Sequence, residues 1–146
     1  MIDPSRGKKP FFSGFKRVAV LMASSAALLA CSDEVTGPSD LAGRWRLQSM
    51  EVTGASRFEP DDPGRFTVEF RADGGIGVVA DCNQCGGSYS LGGGTLTVPP
   101  LVCTLVACPT PHGTQFASLI DGTSSVESDG DELEIESSEG KVVLAR

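Results

Sequence analysis

Four of the five cysteines, Cys82, Cys85, Cys103 and Cys108, share one stretch of chain as C-x2-C, 17 intervening residues, then C-x4-C. Thiolates at such spacing can hold a tetrahedral zinc ion, because two short loops present sulfur pairs to one point. The same four can close two disulfides where the compartment is oxidising. A C-x-x-C pair can also cycle as a redox couple, provided that a helix N-terminus favours the thiolate of its first cysteine. Here Gly86-Gly87-Ser88-Tyr89 follows, with Gly92-Gly93-Gly94 soon after, and Asp81 stands beside Cys82. That is turn and strand chemistry next to a negative charge, so the redox reading falls away. Zinc against disulfide turns on where the chain resides.

The remaining candidates are weaker. His112 is the sole histidine, and Pro109-Thr110-Pro111-His112-Gly113 reads as a loop that leaves it a surface side chain rather than a base or ligand. Asn83 is expected to satisfy backbone groups in the turn between Cys82 and Cys85. Asp129, Asp131, Glu132, Glu134 and Glu136 could suggest calcium, yet the last three alternate with Leu133 and Ile135, the pattern of a wet strand face. There is no nucleophile elbow, P-loop or HExxH. We therefore expect no enzymatic activity, no cofactor and no metal.

The elements that must position these residues are mostly strands. Trp45 and Leu47 alternate with Arg44, Arg46 and Gln48, and Phe66, Val68 and Phe70 with Thr67, Glu69 and Arg71. Period-two alternation marks antiparallel sheet with one wet face. Turn signals at Asp73-Gly74, Gly92-Gly93-Gly94, Asp129-Gly130 and Glu139-Gly140 separate the runs. Strands are expected near 43 to 52, 65 to 71, 75 to 80, 87 to 91, 95 to 98, 124 to 128, 132 to 137 and 141 to 145, with 57 to 64 an exposed loop. One short helix breaks the pattern: Thr114 can cap it, Phe116, Leu119 and Ile120 share a face, and Gly122 can end it. About two turns of helix must pack on the sheet to persist. The fold class expected is α+β, predominantly antiparallel β.

The 146 residues leave room for one domain of ordinary size. Five basic side chains stand against Asp3 in the first 30 residues, and the rest of the chain carries seven basic and eighteen acidic ones. That acidic remainder repels phosphate backbones, so nucleic acid is excluded as a partner. The basic start leads into thirteen mostly apolar residues, 18 to 30, too few for an ordinary membrane-spanning helix, which needs about 20. This is a signal-peptide layout over 1 to 30. Its end, Leu28-Leu29-Ala30-Cys31, resembles the bacterial lipobox. That resemblance implies a lipid-modified Cys31 as the new N-terminus, anchored in a membrane by two or three acyl chains. Ser32 after the cysteine favours the outer membrane of a Gram-negative envelope, facing the periplasm. Residues 31 to 40 then read as lipidated cysteine and flexible tether, and 41 to 146 as the domain.

Export shifts the four remaining cysteines toward two disulfides. Antiparallel neighbours keep the sum of paired residue numbers nearly constant, which favours Cys82 with Cys108 and Cys85 with Cys103; parallel neighbours would reverse the choice.

Three stretches resemble the META domain family, which includes the heat-inducible HslJ lipoproteins: Leu41 to Leu47 (LAGRWRL), Asp81 to Tyr89 (DCNQCGGSY) and Thr104 to Pro109 (TLVACP). Cys82, Asn83, Gly87, Tyr89, Thr104 and Cys108 match that family's pattern, while Asp81 replaces a glycine and Cys85 an aromatic residue. The resemblance implies a small α+β domain with its own Cys82 to Cys108 bridge, Cys85 and Cys103 adding a second. It implies no established enzymatic activity and associates its members with stress tolerance, surface properties or secretion. The expectation is a non-enzymatic, lipid-anchored envelope protein with a protein partner in the envelope. The alternative is a lipocalin-like carrier of small apolar ligands, prompted by Gly43-x-Trp45 at the start of the first strand.

Overall fold

The computed structural model describes residues 35–146; the signal-peptide and Cys31 readings lie outside the described residues. Its elements are helix α1 (Pro38–Leu41), strands β1 (Gly43–Val52), β2 (Phe66–Phe70), β3 (Gly75–Ala80), β4 (Asn83–Ser88), β5 (Ser90–Gly92), β6 (Thr95–Val98) and β7 (Val102–Cys103), helix α2 (His112–Ile120), and strands β8 (Gly122–Asp129), β9 (Glu132–Ser137) and β10 (Gly140–Ala145). All ten strands join one antiparallel sheet curled into a half-barrel, in the order β5-β6-β8-β9-β10-β1-β2-β3-β4-β7. The α+β, mainly antiparallel class expected from the alternation is the class observed.

The two ends of that sheet are parts of one hairpin. Cys85 lies opposite Cys103 and Gly86 opposite Val102, while beyond the bend at Tyr89 Ser90 lies opposite Thr97 and Leu91 opposite Leu96. The hairpin tip is Gly93-Gly94, both at positive φ (57° and 70°), the backbone that a two-residue primed turn requires. Near its middle Pro99 and Pro100, which cannot donate to a ladder, release the returning strand from β8. One half of the hairpin therefore pairs with β3 and the other with β8. The curl is held from both ends by a single piece of chain.

The concave side is filled. Trp45, Leu47, Val68, Phe70, Ile76, Leu96, Leu133, Ile135, Val142 and Leu144 are all buried to within 1% of complete, and Phe116, Leu119 and Ile120 of α2 pack onto them. Trp45 Nε1 donates to the Leu41 carbonyl at 2.8 Å, and the Arg146 guanidinium lies 4.3 Å above its ring. Gly113 lets α2 approach the end of β3, since a Cβ there would stand 2.5 Å from the Ala80 carbonyl oxygen.

Several expectations need correction. Residues 35 to 40, read as tether, are packed on the domain: Val35 is buried, and the Asp40 carboxylate accepts from the backbone N–H of Thr36 and Gly37. The strand expected at 87 to 91 begins four residues earlier and is broken at Tyr89, and β7 is an additional strand in a stretch without apolar alternation. The 57 to 64 loop is not wholly exposed, because Phe58 bridges to Met50 and packs on the core. Helix α2 starts at His112 rather than after Thr114, with Pro111 at its cap. His112 is thus a helix residue, its ring stacked on Phe58 at 3.7 Å.

Candidate functional site

Chemistry-bearing side chains gather where β4, β7 and the chain to Cys108 meet α2. The sulfurs are paired as Cys82–Cys108 and Cys85–Cys103, with Cα separations of 5.8 and 4.0 Å. Cys85 and Cys103 are directly opposite in the antiparallel β4–β7 pair, the neighbour relation that the residue-number argument assumes.

Asn83 completes the fastening. It does satisfy backbone groups, but it sits in β4 rather than in a turn between the cysteines, and the backbone it serves is that of the facing segment at Val106. Its Oδ1 accepts from the Val106 N–H at 2.8 Å and from Thr104 Oγ1 at 3.0 Å, and its Nδ2 donates to the Val106 carbonyl at 2.9 Å. Thr104 Oγ1 in turn accepts from the Gln84 N–H at 3.0 Å. One side-chain amide, one hydroxyl and two disulfides clamp residues 103 to 108 against β4. Tyr89 acts likewise at the bend: its hydroxyl is placed to donate to the Arg71 carbonyl at 2.8 Å, with the Pro38 carbonyl 3.3 Å away. Burial, and then the charge of Asp73, push its phenol above the ordinary tyrosine value.

Asp81 has φ +62°, a left-handed conformation that glycine adopts without cost and aspartate tolerates better than most residues. Its carboxylate is ion-paired with Arg65, and its N–H donates to the Arg65 carbonyl at 2.7 Å. The position that carries glycine in the resemblance is thus one where the backbone asks for glycine.

Beside the clamp lies a groove of about 440 Å³ between α2 and residues 101 to 107. One wall is apolar, with Leu101, Leu105 and Val106; the other is the small, polar face of α2, with Thr114, Ala117 and Ser118, ending at Asp121. These α2 positions follow i, i+3, i+4 and i+7 spacing, so one helix face lines the groove. Leu105 is 97% exposed and Val106 56%. Burial raises the Asp121 carboxyl above its ordinary value and the Glu139 charge adds to the rise, while the Leu101 N–H offsets part of it. No motif announced this groove; its only signal in the sequence was an apolar Leu101-Val102 and Leu105-Val106 in a stretch with no periodicity.

Of the acidic residues weighed for calcium, Glu132, Glu134 and Glu136 lie on the outer face of β9, where Glu134 pairs with Lys141 at 2.5 Å. Among the described residues no three or more His, Cys, Asp or Glu side chains cluster as a metal site.

The META domain family model matches residues 39–146. The chain belongs to the META domain family. No curated protein matches its sequence. Solved structures share the fold: a protein from Burkholderia xenovorans, determined by NMR, is 17% identical with a TM-score of 0.59, the match covering 75% of this chain and 85% of that one. A lipocalin-like protein from Bacteroides uniformis is 20% identical with a TM-score of 0.54, covering 73% and 98%. In this META domain the motif residues all have structural employment. Trp45 anchors α1, Asn83 and Thr104 hold the loop, Cys82 and Cys108 lock it, and Tyr89 fixes the bend. Gly87 leaves room for Leu101, whose Cδ2 would stand 3.2 Å from an added Cβ.

Proposed function

We propose that this META domain is a non-enzymatic module of the bacterial cell envelope, carried on a lipid-modified Cys31 at the outer membrane and acting through stable contacts in envelope maintenance or stress tolerance. The observation that carries the reading is the clamp. Two disulfides belong to an oxidising compartment, and the polar motif residues Asn83 and Thr104 are spent holding backbone. Residues 35 to 41 pack against the domain, so a lipid on Cys31 would keep it close to the bilayer, within reach of an envelope protein rather than of nucleic acid.

The alternative, carriage of a small apolar ligand, draws on the groove and on the lipocalin-like neighbour, not on a hollow barrel: the concave face is filled by its own side chains. Intact mass spectrometry of the membrane-extracted mature protein tests the anchoring, with Cys31 plus acyl chains expected at the N-terminus; a chain starting elsewhere and unmodified overturns it. In a strain lacking the wild-type protein, Cys31→Ser should fail to restore survival under envelope stress. A folded His112→Ala variant that abolishes survival would instead point to a specific active site.

A further inference from the structure

The carboxyl end of α2 breaks a local rule, and the Leu101 N–H compensates for it only in part. Carbonyl groups at a helix C-terminus carry partial negative charge and favour cations there. Here Asp121 is the C-cap, no basic residue occupies the last turn, and Glu139 adds a second negative charge nearby. Burial makes this worse, since a partly desolvated carboxylate prefers a partner. The same carboxylate closes one end of the 440 Å³ groove, a volume in the range of small-molecule sites. Positions where a sequence violates local preference at a concave surface are where ligand binding repays the cost.

We propose that the groove between α2 and residues 101 to 107 binds a small apolar molecule bearing a protonated amine. The apolar body lies against Leu101, Leu105 and Val106, and the ammonium group meets Asp121 at the carboxyl end of α2. Thr114 and Ser118 line the helix wall of the same groove. The clamp makes the site, because Asn83 and the two disulfides fix the apolar wall in place before any ligand arrives, which lowers the ordering cost of binding. This assignment stands apart from the anchoring on Cys31 and can fail or hold without it.

The test uses three probes with one apolar body: 2-naphthylmethylammonium, 2-naphthylmethanol and 2-naphthoate, titrated into the soluble mature domain with backbone amide shifts as the readout. Shifts are expected at residues 101 to 106 and 114 to 121, with the ammonium binding about fivefold tighter than the alcohol, the gain of one half-exposed ion pair, and the carboxylate weakest. Asp121→Asn should bring the ammonium down to the affinity of the alcohol while leaving the alcohol unchanged. Leu105→Ser, at an exposed position where folding has little at stake, should weaken both. Shifts scattered elsewhere, equal affinity for ammonium and carboxylate, or an ammonium preference that survives Asp121→Asn would each overturn the proposal.

Discussion

The β9–β10 pair and the β4–β7 pair belong to one sheet and are held by different forces. β9 and β10 share six registered residue pairs, and β9 turns Leu133 and Ile135 fully into the core. β4 and β7 share two registered pairs, and of Asn83–Ser88 only Cys85 is buried. Where alternation supplies a ladder and a buried face, hydrogen bonds and apolar burial suffice. Where the sequence reads Asn-Gln-Cys-Gly-Gly-Ser, little apolar surface is available, and disulfides with a side-chain amide take over. Covalent closure in the poorly packed region also frees its apolar residues, Val102, Leu105 and Val106, to remain at the surface.

The contrast predicts unequal damage. Trp45→Ala empties the best-packed region, removing a fully buried indole, its hydrogen bond to Leu41 and the platform beneath Arg146. A loss of about 3–5 kcal/mol is expected in denaturant unfolding. A loss below about 1 kcal/mol would mean that the core is not what holds the domain. In the clamped region the corresponding change is removal of both bridges by Cys→Ser at positions 82, 85, 103 and 108. The outer loop spans a separation of 26 residues and the inner 18. Taken singly, the chain-entropy model gives roughly 3.5 and 3.2 kcal/mol. Because the loops are nested, loss of either bridge alone should cost less than its own figure, and loss of both more than either alone. Non-reducing peptide mapping checks the premise, and a Cys82 to Cys103 link would refute it.

Asn83→Ala separates the hydrogen-bonded part of the clamp from the covalent part. It leaves the Val106 N–H and carbonyl without their partner on β4, which should cost about 1–3 kcal/mol. Hydrogen exchange at Val106 should rise while both bridges stay intact. Unchanged protection there would show that the disulfides alone define the loop.

The same division decided what could be read from the sequence. Strands expected at 43 to 52, 75 to 80, 95 to 98 and 132 to 137 coincide with Gly43–Val52, Gly75–Ala80, Thr95–Val98 and Glu132–Ser137. Each carries alternating burial, because one face meets the core and the other water. β4 has no such signature, and Gly86-Gly87 looks like a turn until Cys103 and Val102 are known to lie opposite. The docking of 35 to 40 is hidden for another reason: Val35 is a lone apolar residue in a polar stretch, and the side chains that reach the segment's backbone, Tyr89 and Arg146, are distant in sequence. Asn83 is legible as a residue that satisfies backbone groups but not as one that reaches across the sheet edge, since its partners Thr104 and Val106 lie more than 20 residues away.

The smallest expected effect comes from two carboxylates, Asp40 in α1 and Asp121 at the end of α2 beside the clamped segment, whose shifts have opposite signs. Hydrogen bonds from the backbone N–H of Gly37 and then Thr36 hold Asp40 below its ordinary value, whereas burial, then Glu139, hold Asp121 above it. A depressed carboxyl contributes stability that is present above the unfolded value near 3.8 and is lost as pH falls through the folded one. A raised carboxyl does the reverse: its contribution is full below the unfolded value and is lost as pH rises through the folded one. On acidification from neutrality, protonation of Asp121 should therefore relieve the groove before protonation of Asp40 loosens α1. Carboxyl carbon shifts followed by NMR should show Asp121 titrating first, at a pH above 3.8, and Asp40 second, below it. Asp121→Asn should remove the early, stabilising component of a melting-temperature profile, and Asp40→Asn the later, destabilising one. Asp40 is exposed and Asp121 half-buried, so the components are small and should shrink in salt for Asp121, whose shift includes a charge repulsion, more than for Asp40, whose shift rests on hydrogen bonds. An Asp40 that titrates above Asp121 would show that the hydrogen bonds from Gly37 and Thr36 to its carboxylate do not form, and would erase the contrast between the two carboxylates.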